Sequence, residues 1–340
     1  MIFAIILLVL LGISVLYNLA NFAGNLLRGK SSYAHTAGPK LEEVIKEDND
    51  SANKIAVIEV DGIITGNRID QTGFNMVDVI RAQLRHAQED ASVKAVILKV
   101  DSPGGEVLAA DEIYRAIQDF EKSSSKPVVA SMGSLAASGG YYISAPCRWI
   151  VANELTITGS IGVILSAYNY RGLMDKVGVL PETYKSGKFK DMLSGSREPG
   201  DISPEERAMV QRLIDETYGK FKSVVQDGRD AAHQKNKHEG KALSPDWAEY
   251  ADGRVLSGTE ALKLGFVDQL GYVKDAVARA ETIVGISNAN LVEYEQHYDL
   301  SDLLRLFGKS DAKSIKVDVG MDFPRLQAGH LYFLSPTYVH

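Results

Sequence analysis

Strand-like and helix-like segments alternate along most of this 340-residue chain, beginning at Lys54. Runs rich in β-branched residues predict strands, and between them apolar residues recur at helical spacing. The predicted strands are Lys54–Ile64, Lys94–Val100, Pro127–Met132, Trp149–Ala152, Ile161–Ile164 and Glu182–Lys185. The predicted helices are Met76–Glu89, Val107–Glu121, Tyr141–Cys147, Asn169–Val177 and Ser203–Asp227. This order predicts an α/β fold with a mainly parallel sheet, whose sites gather at the carboxyl ends of strands.

A serine stands at one of these strand ends. Ser138 follows the predicted strand Pro127–Met132 and several small residues, and it directly precedes Gly139 and Gly140. A serine at a strand-to-helix junction can expose its hydroxyl, and free backbone N–H groups at the start of a helix favour developing negative charge. The motif therefore indicates a nucleophile, although a tight helix start packed on a sheet would explain the same residues.

A glycine-rich turn follows the neighbouring strand. The segment Asp101–Gly105 reads D-S-P-G-G, and two successive glycines let the backbone turn its N–H groups toward a ligand. The turn therefore suits an oxyanion hole, and the alternative is an ordinary tight turn.

A catalytic serine needs a base, and the usual base is histidine. The seven histidines lie in polar segments, on a polar helix face or near the carboxyl terminus, and none follows a buried strand near a glycine-rich turn. The segment Tyr184–Arg197, YKSGKFKDMLSGSR, offers lysines instead. A desolvated lysine can act as a base, although most lysines are only surface charges.

Four motifs in order make the chain resemble the short bacterial form of signal peptide peptidase A, in peptidase family S49. They are SMGSLAASGGYYISA, TGSIGV, KSGKFKDMLSGSRE and ADGRVLSGTEALKLGFVDQLG, and the resemblance covers about residues 54–286 together with the N-terminal segment. It implies a membrane-anchored serine protease with a Ser-Lys dyad. It also implies a fold similar to Clp protease and crotonase, with repeated β-β-α units and an N-terminal transmembrane helix.

The resemblance assigns a role to five residues. Ser138 would be the nucleophile and Lys190 the general base, with Lys188 as the competing lysine. Ser160 would orient the base, and the backbone N–H groups of Gly105 and Gly139 would form the oxyanion hole. The implied substrates are remnant signal peptides and other apolar peptides. Short family members resemble ring-like homo-oligomers, so we expect each site to be completed by a neighbouring chain.

The N-terminus predicts a membrane anchor. Met1–Tyr17 has no charged side chain, and the uncharged run continues to Leu27, long enough to span a bilayer. We therefore expect an anchor at residues 1–27, a polar linker at 28–53, a peptidase domain at 54–290 and an extension at 291–340. Basic residues after the span favour a cytoplasmic body, whereas the resemblance implies a single-pass cell-membrane protein with an extracytoplasmic domain, which we adopt.

Composition narrows the alternatives. The formal net charge of −7 argues against a nucleic-acid partner, and a single cysteine, Cys147, allows neither an internal disulfide nor a cysteine-based zinc site. We expect no cofactor and no metal.

The apolar C-terminal segment His330–His340 is broken by a proline, so it predicts an extended tail that could lie in a substrate groove. Three rival functions remain: a crotonase-like acyl-CoA enzyme, a stomatin-operon-type membrane protease, and an inactive membrane scaffold.

Overall fold

A computed structural model of the protein describes residues 38–67, 74–296 and 332–334. Its strands are β1 (Leu41–Glu47), β2 (Lys54–Asp61), β3 (Val93–Ser102), β4 (Gly104–Glu106), β5 (Val128–Ala136), β6 (Trp149–Ala152), β7 (Ile157–Gly159), β8 (Val255–Ser257), β9 (Gln269–Leu270), β10 (Asn290–Gln296) and β11 (Tyr332–Leu334). Its α-helices are α1 (Met76–Glu89), α2 (Val107–Ser124), α3 (Gly139–Ser144), α4 (Arg171–Lys176), α5 (Pro204–Lys235), α6 (Gly258–Leu264) and α7 (Val273–Val284).

The core is one mixed sheet, which has nine strands in the part of the chain described. Its order is β1-β10-β2-β3-β5-β6-β9, and β7 and β8 branch from β5. The strands β2, β3, β5, β6 and β9 run parallel to their neighbours. Helices α1, α2 and α3 cover one face, and α7 covers the other. The central strands are therefore buried on both sides, which explains why their sequences are almost continuously apolar. The predicted α/β fold with a mainly parallel sheet is confirmed.

Two predicted strands are wrong. In the segment 161–164 only Ile164 makes a β-bridge, and the strand of this region is β7. The segment Glu182–Lys185 is irregular and exposed. Both segments carry residues that favour strands, but no neighbouring strand offers them a full hydrogen-bonded ladder. Strand propensity depends on such a neighbour.

The predicted linker is partly a strand. β1 pairs antiparallel with β10, so residues 41–47 form the edge of the sheet rather than a solvated tether. Lys46 pairs with Glu293 and Glu295 of β10, and Lys54 pairs with Glu43. Charge complementarity across the two strands thus replaces the apolar pattern that usually predicts a strand. β10 also crosses the predicted domain boundary at residue 290, because its pairing with β2 makes it part of the sheet.

Helix α5 packs on the body with its second half only, and the irregular segment before the helix joins its exposed first half. This 32-residue helix begins with a capping box, in which the Ser203 hydroxyl accepts from the Glu206 N–H and the Glu206 carboxylate accepts from the Ser203 N–H. Its second half packs on the body, where Phe221 and Arg229 are buried. The buried Arg229 Nη2 lies 2.5 Å from Oδ2 of Asp268. One end of the helix is therefore held firmly, while its first half is largely exposed.

Among the described residues, no helix combines the length and apolar character needed to cross a bilayer. The predicted anchor at residues 1–27 and the start of the predicted linker lie outside the described residues.

Candidate active site

Ser138 occupies a strained turn between β5 and α3. Its φ and ψ are 54° and −116°, and a positive φ is uncommon for a residue with a Cβ. The turn is held from both sides: the Ser138 N–H donates to the carbonyl oxygen of Gly159 at 2.8 Å, and the Ser138 carbonyl accepts from the N–H of Tyr142 at 2.8 Å. Strained residues persist only where the surrounding structure fixes them, and they cluster at functional sites.

The Ser138 hydroxyl has no hydrogen-bond partner among the described residues, although the residue is only 1% exposed. Leaving a buried polar group unpaired costs about 1–3 kcal/mol. No histidine or lysine of the described chain reaches this oxygen. The position is therefore costly as a structural feature and suited to a nucleophile whose base comes from elsewhere.

The two predicted oxyanion donors meet beside Ser138. Gly104 has a φ of 99°, and a Cβ on it would lie 2.6 Å from the backbone nitrogen of Gly139. A Cβ on Gly139 would in turn lie 3.1 Å from the backbone nitrogen of Gly105. The turn after β3 and the start of α3 are thus in backbone contact, which only glycines allow. The structure brings together Ser138, Gly105 and Gly139 as the sequence predicts.

The C-terminal segment Tyr332–Leu334 lies in this site as an extended strand. β11 pairs antiparallel with β4, with Phe333 opposite Gly105. On its other side, Tyr332 and Ile164 exchange backbone hydrogen bonds at 3.2 Å in both directions. Because backbone groups alternate along a strand, Phe333 turns its N–H and C=O toward β4. The carbonyl oxygen of Phe333 then lies 3.2 Å from the position of a Cβ on Gly139. A peptide carbonyl therefore sits next to the two predicted oxyanion donors.

The side chain of Phe333 fills an aromatic pocket that the sequence reasoning missed. Its ring is stacked on Tyr142 with centroids 4.9 Å apart, and its centroid lies 4.6 Å from that of Phe221. Tyr142 has a sequence signal, since it stands four residues after Ser138. Phe221 has none, because helix α5 brings it from a distant part of the chain.

Ser160 lies next to Ser138 through the backbone. Gly159, which accepts the Ser138 N–H, directly precedes it, and the Ser160 N–H donates to the carbonyl oxygen of Arg254 at 2.7 Å. Ser160 is buried and has a φ of 50°. Its predicted role toward Lys190 has no counterpart in the described chain, where no hydrogen bond joins the two.

Lys190 and Lys188 lie in the irregular segment before α5. The Lys188 ammonium pairs with the Glu205 carboxylate at 2.7 Å and lies 4.6 Å from the centroid of the Phe189 ring. Lys190 is exposed, and its backbone N–H donates to Gly187 at 3.2 Å. Within the described chain, Lys190 is the lysine of this motif without an ion pair, and it does not contact Ser138. A single chain therefore brings together the predicted nucleophile and the predicted oxyanion donors, but it does not bring the predicted base to them.

The stretch of chain that carries Lys190 exposes many large apolar side chains. We call residues 165–213 the arm. Large side chains on the arm are solvent-exposed: Tyr168, Tyr170, Leu173, Val177, Val179, Leu180, Tyr184, Leu193 and Leu213. A cleft of about 320 Å³ lies within the arm, lined by residues that include Tyr168, Met192, Ile202 and Val210. Large exposed apolar patches are typical of interaction sites.

Among the described residues, no group of three or more His, Cys, Asp or Glu side chains is arranged to hold a metal ion. Cys147 is fully buried, and this burial raises the pKa of its thiol. It is therefore a small core residue rather than a reactive thiol.

Comparison with known proteins gives consistent results. The model of Peptidase family S49 matches residues 120–287, and that of Clp protease matches residues 48–148. A putative protease of Synechocystis sp. is 40% identical over 248 residues, which is 72% of this chain and 83% of that protein. A putative signal peptide peptidase SppA of Enterococcus faecium is 38% identical over 75% of this chain and 71% of its own length. Protease 4 of Salmonella typhi is 33% identical over 76% of this chain and 39% of its own length.

Proposed function

Because this chain belongs to peptidase family S49 and is a serine peptidase, we propose that it is a membrane-anchored endopeptidase of the signal peptide peptidase A type. Ser138 is the nucleophile, Lys190 is the general base and Ser160 orients the base. Because the chain is a serine peptidase, the acyl-CoA enzyme and the inactive scaffold are no longer alternatives.

The chemistry follows from the arrangement around Ser138. Unprotonated Nζ of Lys190 takes the hydroxyl proton, and Oγ of Ser138 attacks a peptide carbonyl. The N–H groups of Gly105 and Gly139 bind the resulting oxyanion. The Lys190 ammonium then gives its proton to the leaving amine, and an acyl-enzyme remains. A water molecule loses a proton to Lys190, attacks the acyl carbon and releases the carboxylate product, while the proton returns to Oγ of Ser138.

The unpartnered Ser138 hydroxyl is the observation that carries this proposal. The nucleophile and the oxyanion donors are buried in one chain, and Lys190 lies on the arm with no contact to them. The apolar side chains of the arm are exposed in the single chain and would be covered in an assembly. We therefore propose a homo-oligomeric ring in which Lys190 of one chain serves Ser138 of the next. A heterologous contact that closes on itself produces such a ring.

The substrates follow from the groove that β11 occupies. A peptide there is bound through its backbone, between β4 and Ile164, and its side chains meet apolar walls. Remnant signal peptides and other apolar peptides have this chemistry. The uncharged run Met1–Tyr17 and the relationship to a putative signal peptide peptidase support a single-pass cell-membrane location with an extracytoplasmic catalytic domain. Substrates of the stomatin type remain the alternative.

Co-expression of two inactive chains tests the shared site. Ser138→Ala and Lys190→Ala should each lower peptidase activity by about 10³-fold or more, because the nucleophile and the general base act together and neither works without the other. Mixed rings should regain activity at up to about one quarter of the junctions, where an intact Ser138 meets an intact Lys190. The measurement is peptide hydrolysis by complexes purified through one tag on each variant.

Lys188→Ala is the matched control, and it should remain active on its own. Mixed complexes that form but stay as inactive as either parent would place the dyad within one chain. Protease added outside the same cells, after removal of any outer barrier, should cleave the segment that precedes β1, at residues 28–40. Protection of this segment would instead place the domain in the cytoplasm.

A further inference from the structure

The pocket around Phe333 is built from aromatic rings that are themselves fixed. Tyr142 meets Tyr114 edge-on with centroids 5.5 Å apart, and its hydroxyl donates to the Asp111 carboxylate at 2.8 Å. Tyr142 and Phe221 also contact each other, with centroids 5.0 Å apart. The hydroxyl of Tyr142 therefore points to Asp111, and its ring faces the pocket. Phe221 is fully buried on α5.

Phe333 fits this pocket closely. Phe333 is only 1% exposed. The plane of its ring makes an angle of 26° with the ring plane of Tyr142 and an angle of 52° with that of Phe221. Aromatic pairs of this kind contribute about 0.5–1.5 kcal/mol beyond the burial of area. An aliphatic side chain would lose this contribution, and a small one would leave a cavity.

The register of β11 defines which substrate residue the pocket holds. The carbonyl group of Phe333 faces Gly105 and Gly139, and Ser138 lies directly beside them. The carbonyl that faces the oxyanion donors is the one that the nucleophile attacks. The pocket therefore receives the side chain of the residue that precedes the scissile bond.

We propose that Tyr142 and Phe221 determine specificity by selecting an aromatic residue immediately before the cleaved bond. The inference rests on the proposed peptidase function and specifies its substrates further: extended apolar peptides with phenylalanine or tyrosine at that position. In the chain's own tail, the corresponding bond joins Phe333 to Leu334.

Internally quenched peptides with the sequence of residues 330–340 test the proposal. Three peptides carry Phe, Leu or Ala at the position of Phe333, and the full-length protein is assayed for kcat/KM with each. We expect Phe to exceed Ala by at least about tenfold, because differences in an apolar pocket are worth about 1–3 kcal/mol. Mass spectrometry of the products should locate cleavage directly after the varied residue. The protein's own tail competes equally with all three peptides, so it does not alter the ratios.

Phe221→Leu should narrow the Phe-to-Ala ratio by several-fold, because it removes a ring contact and keeps an apolar wall. Phe266→Leu is the matched control: Phe266 is equally buried but packs on Tyr141 and Trp247, so its replacement should leave the ratio unchanged. Equal rates for the Phe and Ala peptides, cleavage at another bond, or the same ratio in Phe221→Leu as in wild type would each overturn the proposal.

Binding separates this inference from the proposed function. Ser138→Ala should bind the Phe peptide more tightly than the Ala peptide in a fluorescence titration, independently of chemistry. If wild type cleaves no peptide but this preference is found, the proposed function fails and the pocket assignment stands. Equal affinities would overturn the assignment.

Discussion

The surroundings of Ser138 and the arm differ in packing: the first region is closely packed within one chain, whereas the second is largely exposed to solvent. Around Ser138 the backbone is packed so closely that a Cβ on Gly105 would lie 1.9 Å from the carbonyl oxygen of Ile64. On the arm, a Cβ on Gly172 or Gly187 would meet nothing within 4 Å, and Leu180 and Tyr184 are 76% and 92% exposed. The region of the proposed oxyanion donors is therefore closely packed within one chain, whereas the region that carries the proposed base exposes its glycines and apolar side chains to solvent.

Alanine at a glycine should have opposite consequences in the two regions. In Gly104→Ala, the new Cβ would lie 2.0 Å from the carbonyl oxygen of Phe333 and 2.6 Å from the nitrogen of Gly139, at a φ of 99°. We expect kcat/KM to fall by about 10²-fold or more, the loss typical of a damaged oxyanion hole. Gly172→Ala, inside α4, should leave activity unchanged and raise stability by about 0.4–1 kcal/mol. Peptide hydrolysis and thermal unfolding measure both variants, and an active Gly104→Ala would contradict the assigned oxyanion site.

Replacing an exposed leucine by glutamate should have a large effect if the leucine lies in a subunit interface and a small effect if it lies on a free surface. Leu180 lies on the arm, and Leu155, 81% exposed, lies in the turn before β7. If the arm is covered by a second copy, Leu180→Glu buries a charge there, and the assembly mass and the activity should both fall, the activity by about tenfold. Leu155→Glu should change neither, since exposed substitutions usually alter stability by less than about 0.5 kcal/mol. Light scattering at matched concentrations gives the mass, and equal behaviour of the two variants would remove the arm as an interface.

Acid should weaken the ion pair between Arg197 and Glu206 on the arm. The hydrogen bond from Arg197 and the Ser203 N–H hold the pKa of Glu206 at about 2, below its usual 4.5. The stabilisation from this pair is thus complete above about pH 5 and is lost as the pH falls toward 2. After correction for the intrinsic pH dependence of amide exchange, the protection factors of amides near residues 197–206 should fall by a few-fold between these values, while those of β2 and β3 should change less. Glu206→Gln should abolish this dependence; an unchanged pH response in that variant would assign it to another group.

Local patterns predicted the body well because its elements bury their own side chains. The helix Met76–Glu89 and the strand Trp149–Ala152 were predicted with the bounds that the structure shows. The pairing of the Ser138 motif with the glycine turn followed from the rule that sites gather at strand ends. The failures have a different cause. β1 is charged and owes its structure to β10, and Phe221 reaches the site only through the path of α5. Such long-range partners leave no local pattern.

The length of α5 has a mechanical consequence for catalysis. The 24 residues from Glu206 to Arg229 form a rod of about 35 Å, so a tilt of one degree at the buried end moves the other end by about 0.6 Å. A misplacement of about 1 Å can cost 10²-fold in rate. The ion pair between Arg229 and Asp268 fixes the buried end of this helix, so small rotations about that end are amplified at the other end. If Lys190 is the base, as proposed, the rigidity of this buried end would limit the error in the position of the lysine.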